Sequence, residues 1–80
     1  MEEYAIQLMR TIETMTVSAN GEVRHVELRN EGGFWSIWYS GDSEGEFRRQ
    51  ISKVSEAGIR VHWDVMAKHF GVTPVKWQGA

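Results

Sequence analysis

Residues 32–41 read Gly32-Gly33-Phe34-Trp35-Ser36-Ile37-Trp38-Tyr39-Ser40-Gly41, a short aromatic run fenced by glycines. Successive side chains of a strand point to opposite faces. A strand here therefore presents Trp35, Ile37 and Tyr39 on one side, and Phe34, Ser36, Trp38 and Ser40 on the other. The first side suits a hydrophobic core. The second still carries two aromatic rings, which call for cover from more of the chain or from a partner. This stretch makes the protein a sheet protein with one apolar face and a reverse face of mixed character.

Upstream, Asn20-Gly21 is the strongest turn signal, because both central positions of a type I′ turn need positive φ. A two-residue hairpin about it pairs residues whose numbers sum to a constant. Met15, Val17 and Ala19 then lie beside Val26 and Leu28 on one face, while Thr14, Thr16 and Ser18 meet Val23, His25 and Glu27 on the other. The clean apolar/polar split supports that register.

The first dozen residues fit two patterns. Ala5, Leu8, Met9 and Ile12 match a helical stripe, and Tyr4, Ile6 and Leu8 match strand alternation. The β-branched residues Thr11, Ile12, Thr14, Thr16 and Val17 favour an extended chain. Apolar parity changes between Leu8 and Met15, so a strand here needs a β-bulge near Arg10–Glu13 to keep one face inward.

Downstream, Ser43 with Glu46 three residues on reads as a capping box. Phe47, Ile51 and Val54 then form one face of a helix that Gly58 closes. Ile59, Val61 and Trp63 alternate with Arg60, His62 and Asp64, which predicts a returning strand. A short helix from Val65 to Phe70, with Val65, Met66 and Phe70 on the core, is stopped by Gly71. The expected class is α+β: a small antiparallel sheet in β-β-β-α-β order, one main helix packed on one face, and a short C-terminal helix or turn.

Composition narrows the function. Eighty residues form a single domain, 1–80, and four tryptophans help a small core. There is no cysteine, hence no disulfide and no thiolate metal site. The acidic start Met1-Glu2-Glu3-Tyr4 is unlike a secretory signal, and no run approaches the roughly 18 apolar residues of a membrane span. The expectation is a cytoplasmic protein with no membrane partner. The net charge is −2, whereas a non-specific nucleic-acid binder usually carries a positive excess. Asp42, Glu44 and Glu46 form the densest acidic patch and suit a helix's first turn.

No constellation of catalytic residues stands out. Gly32-Gly33 and Gly41 lack a phosphate-loop pattern, and the chain is expected to be no enzyme. His62 and Asp64 share a face of the expected strand and His69 lies within reach, but no close ligand pair of metalloprotein type is present. No metal and no cofactor are expected. His25 is a polar-face residue.

Ala67-Lys68-His69-Phe70-Gly71-Val72-Thr73-Pro74-Val75-Lys76-Trp77 resembles the turn of a helix-turn-helix DNA-binding domain. An alanine and an aromatic precede the turn glycine, and Thr73-Pro74 stands where the recognition helix opens. The resemblance implies a helix in the major groove, yet at most two turns remain before Ala80, and Gly79 interrupts them. A capping turn after a short amphipathic helix is the reading that fits better.

What remains is the aromatic strand. Phe34 and Trp38, with Ser36 between them and Arg24, Arg29 and Arg60 on neighbouring elements, form the candidate partner-binding residues. In size, acidity and lack of catalytic machinery the chain resembles small inhibitors carried by phages and other mobile elements, such as anti-CRISPR proteins. That resemblance implies a larger protein or nucleoprotein complex as partner. Two further readings stand beside it: a single-stranded nucleic-acid or DNA-binding accessory protein, stacking bases on Trp38, and a homodimer that pairs a sheet edge.

Overall fold

The computed structural model describes residues 9–40 and 47–79. Asn20 and Gly21 take φ of 54° and 79°, and the turn they make joins β1 (Met9–Ala19) to β2 (Glu22–Glu31). The register is the one the turn requires, running from Ala19 opposite Glu22 to Glu13 opposite Leu28. It slips between Thr11 and Glu13, so the expected bulge is present, and Ile12 there packs against the core. Strand β3 (Trp35–Ser40) adds antiparallel to β2, and β4 (Phe47–Lys53) adds antiparallel to β3.

Helix α1 (Glu56–Phe70) follows, and β5 (Val75–Lys76) returns to pair with Glu13 and Thr14 of β1. The sheet order is β4-β3-β2-β1-β5, antiparallel throughout. The class is α+β with one main helix on one face, as expected. The order of elements is β-β-β-β-α-β, because the helix comes later than its sequence signals suggested.

Two segments exchange roles. Residues 47–53 form a strand where a helix was expected, and residues 59–63 form helix where a strand was expected. Phe47 and Ile51 are four apart, as on a helix face, but Gln50 is an extra residue in the pairing: Ile37 faces Ile51 and Trp38 faces Arg49. That bulge breaks the strand's alternation and imitates a helical spacing. Val54, expected on the core, is 83% exposed. The expected capping box at Ser43 and Glu46 and the acidic first turn lie in 41–46, outside the described residues, as do residues 4–8.

The helix starts at Ser55, whose Oγ accepts the Gly58 N–H at 3.1 Å. Gly58 thus sits in the first turn, not at a C-terminus. A Cβ there would stand 3.2 Å from Ser55 Oγ and 3.4 Å from Lys53 Cβ. Ile59, Trp63 and Ala67 recur every four residues and are buried, while Val61 and Val65 are both exposed. The alternation of Ile59, Val61 and Trp63 is therefore incidental, and Val65 is not a core residue.

The helix ends in a Schellman arrangement. Gly71 has φ of 69° and its N–H donates to Lys68 O, while the Val72 N–H donates to Ala67 O. Val72 packs on the core, and Thr73-Pro74 leads into β5. No recognition helix follows the turn, so the helix-turn-helix resemblance is overturned.

The core lies between α1 and one face of the sheet: Met15, Val17, Val26, Leu28 and Ile37 below, Ile59, Trp63 and Ala67 above. Trp35, Tyr39 and Ile51 close its margin. Full burial of each large apolar side chain contributes about 1.5–3 kcal/mol. Because the helix takes this face, the reverse face of β2, β3 and β4 is left to polar and aromatic side chains.

Candidate partner-binding face

Alternation along β2 places Glu27, Arg29 and Glu31 on the face away from α1. Along β3 it places Ser36, Trp38 and Ser40 there. Pairing brings Trp38 between Glu27 and Arg49, Ser36 between Arg29 and Ser52, and Ser40 beside Phe47. The centre of the face is thus Trp38, with arginines on the strands to either side.

Those arginines lie over the rings. The Arg29 guanidinium is 4.4 Å from the Trp38 ring centre and 5.3 Å from that of Phe47. The Arg49 guanidinium is 5.3 Å from Trp38 and 5.2 Å from Phe34. Contacts of this type are worth about 0.5–1 kcal/mol at exposed sites and about 2 kcal/mol when desolvated.

Each arginine also has a carboxylate. Arg29 Nε donates to Glu27 Oε1 at 2.9 Å, which also accepts the Thr11 hydroxyl at 3.1 Å. Arg49 donates to Glu31 Oε1 at 3.0 Å. The other oxygen of Glu31 accepts the Ser36 hydroxyl, and more distantly the Trp38 indole N–H at 3.3 Å. The indole N–H is 2.8 Å from Ser36 Oγ, so Ser36 joins the ring to the carboxylate.

Ser36 is fully buried beneath this network. Burial raises the Glu31 pKa, but hydrogen bonds from Ser36, Arg49 and Trp38 and the Arg49 charge outweigh it, and the carboxyl is held below its ordinary value. Glu27–Arg29 and Glu31–Arg49 pair their charges around a tryptophan tethered through Ser36.

Four of the residues singled out from sequence meet here: Phe34, Ser36, Trp38 and Arg29. Neither Phe34 nor Trp38 lies under the C-terminal segment, since β5 pairs at the opposite edge of the sheet. Arg24 and Arg60 do not join them. Arg24 pairs with the core residue Val17 and so belongs to the helix side. It donates to Ser40 O at 3.2 Å and Glu22 Oε1 at 2.7 Å. The hairpin register already implied this placement.

Arg60 is on α1 because its segment is helical. Its guanidinium holds Glu13 Oε2 at 2.8 Å and lies 3.5 Å from Glu56. Arg49 and Phe47 entered the face only once 47–53 became a strand. Glu27 and Glu31 were legible from the parity of β2, as the residues alternating with His25 and Arg29.

The histidines do not gather. His25 is near Thr16 at 3.3 Å on the sheet's reverse face. His62 and Asp64, two apart on a helix, point to different sides, and His62 and His69 border a groove between α1 and β4. No group of three or more metal-ligating side chains occurs among the described residues. No helix among them is long and apolar enough to cross a membrane.

Compared with protein families, characterised proteins and solved structures, the chain matches none.

Proposed function

We propose that the protein is a non-enzymatic binding module that docks on a larger protein through the reverse face of its sheet. The observation that carries this reading is the fixed Arg29–Trp38–Arg49 cluster, with Phe34 and Phe47 beside it and both arginines already paired to glutamates. Tryptophan and arginine held in one geometry are the residue types that dominate protein interfaces. They lose little freedom on binding, because the ring is tethered through Ser36 and the guanidiniums through Glu27 and Glu31.

The same arrangement argues against a base-stacking platform. A nucleobase needs a free ring face and unpaired cations for its phosphates. Here guanidiniums lie over Trp38, and their charge is cancelled by neighbouring carboxylates. The Ser36–Glu31 pair is the nearest thing to an activated hydroxyl on the face. It is buried and lacks a histidine partner, so it serves as a tether.

A small, preformed, charge-balanced face suits an inhibitor or regulator that occupies a surface of a larger complex. The test is binding to a partner identified by crosslinking from this face. Trp38→Ala is expected to weaken binding by about 2 kcal/mol or more, and Val61→Ala on the exposed helix side to leave it unchanged. Affinity that falls steeply with salt for nucleic acid, or that ignores Trp38, would contradict the proposal.

A further inference from the structure

The chain has two asparagines, Asn20 and Asn30, and they stand in opposite surroundings. The Cγ of an asparagine lies within reach of the next residue's main-chain nitrogen, and a bond between them closes a succinimide ring. The attack is intramolecular, so its rate depends on how freely the two atoms meet.

At Asn20 little hinders that meeting. The residue is exposed at the tip of the β1–β2 turn, and its side-chain amide makes no hydrogen bond among the described residues. The attacking nitrogen belongs to Gly21, which has no side chain to crowd it, and no atom lies within 4 Å of where a Cβ would stand. Among the described residues the Gly21 N–H has no acceptor.

Asn30 is held at both ends of the same reaction. Its Oδ1 accepts the Gly32 N–H at 2.9 Å, which fixes the side chain toward Gly32. The nitrogen that would attack is that of Glu31, whose N–H donates to Phe34 O at 2.8 Å. Glu31 also carries a side chain tied to Ser36 and Arg49.

We propose that Asn20 is a site of spontaneous deamidation in the folded protein, and that its isoaspartyl product breaks the hairpin register. The Gly21 nitrogen bonds to Asn20 Cγ and gives up its proton; the Cγ–Nδ2 bond breaks, and ammonia leaves with that proton. Water, the co-reactant, then opens the imide. Opening at Cγ restores an ordinary main chain with an aspartate at position 20. Opening at the main-chain carbonyl leaves Gly21 bonded to Cγ, which inserts an extra carbon into the chain and frees an α-carboxylate.

That carbon falls inside a two-residue turn, between φ of 54° and 79°. Ala19 then no longer faces Glu22 as the turn requires. Met15, Val17, Val26 and Leu28 all owe their core positions to this register. The reaction needs no partner at the Trp38 face.

The test incubates the full chain in mildly alkaline buffer, with and without urea, and follows it by peptide mapping that separates aspartyl from isoaspartyl forms. Without urea, the expected result is progressive loss of asparagine at position 20, isoaspartate among its products, and position 30 unchanged. The isoaspartyl chain, isolated by chromatography, is expected to melt about 4 °C or more below the unconverted chain. Asn20→Asp adds the same charge on an ordinary main chain and is expected to melt close to the unconverted chain. Conversion confined to urea, or equal conversion at positions 20 and 30, would overturn the assignment of the site. An isoaspartyl chain that melts with Asn20→Asp would overturn the effect on the register.

Discussion

The Trp63 indole N–H donates to Glu13 Oε1 at 2.8 Å, from a ring that is fully buried in the core. Arg60, one helical turn earlier, holds the other oxygen of the same carboxylate at 2.8 Å. One glutamate on β1 therefore fastens the helix to the sheet face that carries the apolar core. With the helix on this side, none of the described elements packs over the Trp38 face.

Removing the donor from this arrangement should destabilise the fold more than its area suggests. Trp63→Phe leaves an oxygen of Glu13 without its indole partner, at about 1–3 kcal/mol. Trp63→Ala adds a cavity and should reach about 3–5 kcal/mol, against a total of roughly 4–12 kcal/mol for a chain of this length. Urea unfolding followed by far-UV circular dichroism measures both. A loss below about 0.5 kcal/mol for Trp63→Phe would mean that water replaces the indole without penalty.

Acid should unfold the protein through two glutamates. For Glu13, burial raises the pKa, but hydrogen bonds from Arg60 and Trp63 and the charges of Arg60 and Lys76 hold it below 4.5. Glu31 is lowered likewise. The unfolded chain therefore takes up protons first as pH falls, and the stabilisation present above 4.5 is lost as pH drops through the folded values. Urea midpoints should be flat near neutrality and decline as pH falls below about 5. Glu31→Gln should lower stability near neutrality and make that acid slope shallower. An unchanged slope would remove Glu31 from the account.

The turn that sets the register should tolerate little. Gly21 has φ of 79° and no atom within 4 Å of an added Cβ, so Gly21→Ala tests backbone conformation alone. The expected loss is about 1–2 kcal/mol. A domain of this size shifts its melting temperature by about 4–8 °C per kcal/mol. A melting temperature that stays put would indicate that the turn can relax out of the left-handed region.

The indole protons should exchange in a fixed order. Trp63, bonded to Glu13 in the core, should be slowest. Trp38, bonded to Ser36 and Glu31 on the face, should be intermediate, and Trp77, 52% exposed, should exchange fastest. Assigned indole resonances in an exchange series read this directly. Trp38 exchanging as fast as Trp77 would mean that the Ser36 tether does not hold.

Where local chemistry decides, the fold could be read from the chain. Asn20-Gly21 dictated its hairpin, the parity change before Met15 required the bulge at Thr11–Glu13, and the glycine-fenced run divided its aromatics between two faces as the strand does. Reading failed where a bulge altered the period. Gln50 gives 47–53 a helix-like spacing, and the chance alternation of Ile59, Val61 and Trp63 then invited a strand where Ser55 starts a helix. Part of the candidate face followed those errors. Phe34, Ser36, Trp38 and Arg29 lay on a strand correctly placed, whereas Arg49 and Phe47 were hidden in the misread one. Arg60 was carried away with its segment.

The proposed function requires that the Trp38 face meet a protein. The most direct measurement is site-specific photocrosslinking in cells of the chain's own source, with a benzophenone amino acid at Phe47 on the face or at Val61 on the far side of the helix. The expected result is a defined protein adduct from position 47 that survives nuclease, disappears in the Trp38→Ala background and is absent from position 61. Adducts to nucleic acid from position 47, or the same protein adducts from both positions irrespective of Trp38, would contradict it.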